Sequence, residues 1–258
     1  MSYAHILVDR EERLTIITIN RPEACNALNP QAQLELQDAF DQFAEDDDQW
    51  VAILTGVGPK AFCGGMDLKA QAEKPDLFTA EKGFGGFTAR LDLAKPVIGA
   101  VNGVAMGGGF ELALACDILV ASESALFALP EPRVGLAALA GGIQRLPRDI
   151  GLKHAMGMML TGRRATAREA AALGLVNEVV AGDLLDAARR WAGEILACSP
   201  MAVRATKEAI LRGLSIPLAD GLSQQWEYPA MKAMLASADA IEGPAAFATR
   251  RTPIWRGR

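Results

Sequence analysis

Apolar positions along the chain follow two periods. HILVD (5–9) and RLTIITIN (13–20) flank a polar turn, and this predicts a β-hairpin. At Asn29-Pro30 an N-cap and first-turn pair opens a helix. In it Leu34, Phe40 and Phe43 recur at helical spacing, up to the acidic run Glu45–Asp48. VAILTG (51–56) is a short apolar run and reads as a buried strand. KAFCGGMDLK (60–69) reads as a loop entering a helix, and residues 71–92 as an irregular, glycine-rich, mobile surface segment. KPVIGAVNG is then a strand, GGGFELALAC a helix and DILVAS a strand, an alternation that predicts an α/β core with parallel strands. ATAREAAALG is a short helix stopped by Gly174, and LVNEVV is the strand after it. From Asp183 the pattern is helical to the end, with a second cap pair at Ser199-Pro200. These shifts divide the chain into a core over 1–195 and a helical region over 196–258.

One carboxylate stands out. GVAMGGGFELALACD (103–117) sets Glu111 in an apolar helix directly after Gly107, Gly108 and Gly109. CGGMDL (63–68) lays over GGGFEL (107–112): small, Gly, Gly, apolar, acid, Leu. The first N–H groups of a helix have no intrahelical acceptor, and the helix dipole is positive there. Glycine lets another group approach the backbone. Two such ends facing one cavity would offer two N–H donors to one oxygen, an oxyanion hole, with Gly64 and Gly108 as the candidate donors. Each segment alone also fits an ordinary helix start, where Asp67 and Glu111 would complement the dipole for about 0.3–1 kcal/mol each. The neighbours of Glu111 point to deep burial, so its pKa should rise or it should find a partner. Glu131, bracketed by Pro130 and Pro132, is a candidate for that partner; an exposed turn acid is the other reading of it.

Composition narrows the chemistry. There are 258 residues, half of them apolar, with a net charge of −5 and no long basic run. Bulk electrostatics therefore favours neither nucleic acid nor an acidic membrane as partner. No apolar run reaches the roughly 20 residues of a membrane helix. The first residues lack a basic n-region and a cleavage site, and the four cysteines show no CxxC spacing. Both read as a cytoplasmic protein with reduced thiols and no metal site. The two histidines, His5 and His154, lie on structural patterns, and there is no GxSxG elbow. Catalysis, if present, falls to carboxylates and backbone amides.

KPVIGAVNGVAMGGGFELALACD, AFCGGMDLK, FALPEPRVG and GGIQRLPR together resemble the crotonase (enoyl-CoA hydratase/isomerase) superfamily. The match runs in order from NRPEACNAL (20–28) through LVNEVV to EGPAAFATRRTPIWRGR. The resemblance implies an α/β spiral of ββα units with a helical C-terminal trimerisation region that closes the acyl-CoA site. It implies a homotrimer or a dimer of trimers, an acyl-CoA thioester substrate, and no cofactor beyond the coenzyme A carried by that substrate. It places the oxyanion N–H groups at Gly64 and Gly108, and the paired catalytic acids at Glu111 and Glu131. It further implies contacts to the CoA thioester arm and adenine at Ala24, Cys25, Ala61, Cys63, Gly65, Met66, Asp67, Leu68, Pro130 and Gly135. Arg21, Lys60, Arg250 and Arg251 are candidates for the phosphates. PRVGLAALAGG (132–142) lacks the further acid that isomerases of the family often carry, which favours hydration. Met66 stands where a small residue is frequent, so the acyl pocket is altered there. GFGGFTARLDLAKPV and AFATRRTPIWRGR look like the carnitinyl-CoA dehydratase branch. Thioester hydrolysis, decarboxylation through the same enolate, and a non-catalytic acyl-CoA-binding role remain open at this level.

Overall fold

The computed structural model describes residues 3–67 and 80–258. β1 (Ile6–Glu11) and β2 (Leu14–Ile19) form the expected hairpin. β2 continues in parallel into β3 (Val51–Gly56), which is followed in the sheet by β5 (Val97–Val101), β7 (Ile118–Ser122) and β10 (Glu178–Val180). β3 and β5 are buried along their whole length, as continuous apolar runs in a parallel sheet should be. Short strands form a second sheet in the order β4 (Ala61–Cys63), β6 (Val104–Met106), β8 (Leu126–Ala128) and β9 (Ala165–Thr166). Each successive strand pair, β3/β4, β5/β6 and β7/β8, gives one strand to each sheet. This is the spiral that the resemblance implies.

Helix α1 (Pro30–Glu45) starts where the cap pair predicts: the Asn29 side chain accepts the Ala32 N–H at 2.8 Å. Its buried face carries Leu36, Phe40 and Phe43, whereas Leu34 points to solvent. The sequence pattern treats residues 80–92 as surface, but Phe84, Phe87 and Thr88 are buried. The aromatic rings decide this: Phe87 stacks on Phe40 with centroids 4.3 Å apart. The LVNEVV strand shortens to Glu178–Val180 because Leu175 and Val176 turn into the core.

Further along the chain come α2 (Gly108–Ala115), α3 (Gly142–Ile150), α4 (Leu152–Thr161), α5 (Ala167–Ala172) and α6 (Leu184–Leu196). α6 covers the second face of the large sheet with Ala187, Ala188 and Ala192 against Val51, Ile53 and Ile98. Beyond it lie α7 (Pro200–Gly213), α8 (Leu218–Gln224), α9 (Pro229–Leu235) and α10 (Ala238–Ala248). Lys207 on α7 ties this layer to the sheet by an ion pair to Asp117 at 2.7 Å and a bond to Lys95 O at 2.9 Å. Among the described residues no helix is long and apolar enough to cross a membrane.

Candidate active site

Parallel strands β4, β6 and β8 lie side by side, so the loops at their C-terminal ends are neighbours. These loops carry Gly64–Asp67, Gly107–Gly108 and Pro130–Glu131. The topology therefore gathers segments far apart in sequence onto one rim.

Glu111 sits in the first turn of α2 and is 3% exposed. Its Oε1 accepts the Gly142 N–H at 2.8 Å. Burial and the facing Glu131 carboxylate push its pKa up to about 7, opposed by the Gly142 and Ala140 amides and by Arg145. The Glu131 pKa is also raised by burial, and its Oε2 is buried with no hydrogen-bond partner among the described residues. Glu131 opens a single 3-10 turn (Glu131–Val134) between Pro130 and Gly135, which closes the turn in a left-handed conformation with φ 74°. A Cβ on Gly107 would come within 3.2 Å of Glu131 Oε1, so the second carboxylate lies against the start of the helix that carries the first. Gly107 itself has φ 54° and ψ −128°, a conformation suited to glycine, and its carbonyl accepts the Glu111 N–H at 3.0 Å. Two carboxyls held this way resist ionising together. A pair in which one carboxyl keeps its proton while the other has lost it offers one acid and one base.

The amides require one correction. Gly64 N–H donates to Cys25 O at 2.9 Å and so is already engaged. The next loop residues behave differently. Leu28 and Met66 form a parallel bridge, in which Leu28 N–H binds Gly65 O at 2.8 Å and Asp67 N–H binds Leu28 O at 3.0 Å. That pattern turns the Met66 N–H to the other side. Among the described residues, neither Met66 N–H nor Gly108 N–H has an acceptor. Gly65, with φ 92°, brings this loop against the helix start: a Cβ there would lie 2.7 Å from Met106 O and 3.3 Å from Gly108 N. The free donor on this loop is two residues beyond Gly64. In the sequence the aligned glycines hide this, because Cys25 and the Leu28 bridge decide which amides are consumed.

The other expected residues sort by burial. Cys63 and Ala61 are buried in β4, and burial lifts the Cys63 thiol to about 12. Asp67 is paired with Arg21 at 2.9 Å, and the Arg21 guanidinium also bonds Ala27 O. Arg21 is thus a buried brace of the loop rather than a free phosphate contact. Arg251 pairs with Glu242. Ala24 ends a 3-10 turn (Pro22–Ala24), and Cys25 follows, exposed, with φ 51°. Cys25, Asn26, Gly58, Lys60 and Ala61 line a cleft of about 170 Å³. Leu68, and the helix expected to open after Asp67, lie outside the described residues. The Gly142 amide was not among the residues singled out from sequence, yet AGGI (140–143) repeats the small–Gly–Gly–apolar signature of the other two segments.

Comparison with known proteins places the chain in a family. The family model described as enoyl-CoA hydratase/isomerase matches residues 9–258. A carnitinyl-CoA dehydratase from Salmonella enteritidis PT4 is 44% identical over 250 residues, 94% of each chain. The crystal structure of an enoyl-CoA hydratase from Mycobacterium tuberculosis H37Rv superposes with a TM-score of 0.93 at 44% identity, covering 98% of this chain and 99% of that one. An enoyl-CoA hydratase from Bacillus anthracis gives 0.89 at 38% identity, covering 99% and 100%.

Proposed function

The chain belongs to the enoyl-CoA hydratase/isomerase family, and from this premise we propose that it is a hydro-lyase. Its reaction is the reversible addition of water across the 2,3 double bond of an acyl-CoA thioester. The carrying observation is the pair of buried Glu111 and half-buried Glu131, both with raised pKa, and with one carboxylate oxygen of Glu131 buried and left without a partner among the described residues. A water between them loses its proton to the ionised carboxylate as it attacks Cβ, and the protonated one supplies Cα. Negative charge gathers on the thioester oxygen as an enolate. The Met66 and Gly108 N–H groups, free and adjacent, are the donors we assign to it; removing one such donor typically costs about 10²–10³ in rate. Addition of water changes no oxidation state, so the reaction asks for no redox cofactor. The cleft beside Cys25, Lys60 and Ala61 is the place we assign to the coenzyme A arm.

Hydration is favoured over double-bond isomerisation because residues 132–142 bring no third acid to the pair. The acyl group is a narrower matter. A carnitinyl-CoA dehydratase and an enoyl-CoA hydratase are equally similar to this chain, each at 44% identity. A panel of trans-2-enoyl-CoA esters, including crotonyl-CoA, longer chains, an aryl acrylyl-CoA and crotonobetainyl-CoA, decides it by loss of the conjugated thioester absorbance. Turnover of at least one member is expected, and the best ester names the acyl class. Binding of the esters without loss of absorbance overturns the hydratase reading in favour of hydrolysis, decarboxylation or a binding role.

The same reading includes a cytoplasmic protein, supported by four unpaired cysteines, and a homotrimer or dimer of trimers. Exposed large apolar side chains support assembly: Val134, Leu136 and Leu139 in the segment after Glu131, and Leu214, Trp226 and Phe247 in the C-terminal helical region. Light scattering should return three or six chain masses, and a single chain mass would remove this part of the reading.

A further inference from the structure

The motif GGIQRLPR (141–148) contributes more to the site than the Gly142 amide. Arg145 is half-buried on the first turns of α3 and clasps the residue that begins the helix. Its own N–H donates to Gly141 O at 2.9 Å. Its guanidinium folds back over the same residue, so that a Cβ on Gly141 would come within 2.2 Å of Nη1. Gly141 has φ 111°, which fits this clasp. Nη2 of Arg145 then donates to Thr88 O at 2.8 Å. Thr88 N–H in turn binds Phe84 O at 3.3 Å, and the Phe84 ring covers Gly108, where a Cβ would lie 2.7 Å from Cε1. One side chain therefore joins the turn that holds Glu111 to the segment that packs over Gly108.

We propose that Arg145 is a positioning residue for the reaction: its guanidinium fixes the Gly141–Gly142 turn against Thr88, so that Gly142 N–H holds Glu111, and it keeps a positive charge facing that carboxylate. The inference rests on the hydratase reading above. The charges around it are few. Glu131 faces Glu111 from the 131–134 turn, and Arg145 faces it from α3. Asp149 on α3 and Cys116 at the end of α2 face Arg145. The positive charge favours the ionised form of Glu111 and offsets part of the effect of burial.

Difference infrared titration of the protonated carboxyl band, assigned to Glu111 by its loss in Glu111→Gln, reads this directly in the free enzyme. Wild type should titrate near pH 7. Removing the charge in Arg145→Met should move that titration to higher pH. Arg145→Lys should bring it back toward wild type, because the charge returns. In turnover, the limb of kcat/KM that belongs to Glu111 should move with the titration. kcat of Arg145→Met should fall by about 10–100-fold with KM nearly unchanged, because the turn loses its anchor. Arg145→Lys should recover the pH limb and only part of kcat, since an ammonium cannot reproduce the planar fork at Thr88 and Gly141. A Glu111 titration at the same pH in all the proteins overturns the inference, whatever happens to kcat. The infrared result stands even where wild type hydrates no ester, so failure of the hydratase reading and failure of this inference are distinguishable.

Discussion

Glu111→Gln is expected to lower kcat by about 10²–10⁴ and, above pH 7, to raise the melting temperature. The rate loss follows from its place in the acid–base pair, and Glu131→Gln should lose a comparable factor. The double variant should fall little below the worse single one, because the two carboxyls act as a unit. The stability gain follows from linkage. Glu111 has a folded-state pKa of about 7 against an ordinary value of 4.5. A raised pKa means that the folded state favours the proton. The associated stability is complete below pH 4.5 and is lost as pH rises through 7, by about 3 kcal/mol in total. Glutamine cannot ionise, and its carbonyl still accepts the Gly142 N–H. It loses the second amide contact, so a net gain of about 1–2 kcal/mol is expected at pH 8 and little at pH 5. Thermal melts of both proteins at the two pH values check this. An equal difference at pH 5 and pH 8 would show that Glu111 is not held in the state described. The activity of wild type should correspondingly change through about pH 7, where Glu111 ionises, and a flat profile across that range would remove Glu111 from the acid–base pair.

Gly109→Ala should be the most damaging single methyl in the chain. A Cβ there would fall 2.0 Å from Cys63 O, 2.6 Å from Cys63 C and 2.8 Å from Cys63 Cβ. Two of these atoms are backbone, in the strand that leads to Met66. Overpacking usually costs about 1–3 kcal/mol, and a backbone clash belongs at or above the upper end. For a chain of this size, that corresponds to a melting temperature lower by about 10 °C. The same displacement moves β4 relative to α2, and with it Met66 N–H relative to Gly108 N–H. kcat should therefore fall by about 10²-fold even at temperatures where the variant is folded. Gly193→Ala is the control. It lies on α6, nothing stands within 4 Å of its Cβ, and alanine there should match or stabilise wild type. A Gly109→Ala enzyme with normal kcat would separate the packing of α2 from the chemistry.

Much of the fold is legible in the sequence because its signals are local. Asn29, Ser199 and the apolar runs of β3 and β5 each announce an element through neighbours within a few residues. Glu111 is legible as a buried acid for the same reason. What stays hidden depends on distant partners. Phe84 and Phe87 lie in a glycine-rich stretch that reads as surface, and only the Phe40 ring from α1 makes it core. Gly64 and Met66 cannot be told apart as donors until Leu28 and Cys25 are known to take the neighbouring hydrogen bonds. Arg21 reads as a free surface cation until Asp67, 46 positions later, is seen to bind it.

A main-chain amide at position 66 serving as the donor we propose would have an evolutionary consequence. Every residue except proline carries that N–H. The side chain at 66 is therefore released from the chemistry and partly packed against the core. Substitutions there can reshape the space offered to the acyl group while the donor stays in place, so this position can drift with substrate preference at little catalytic risk.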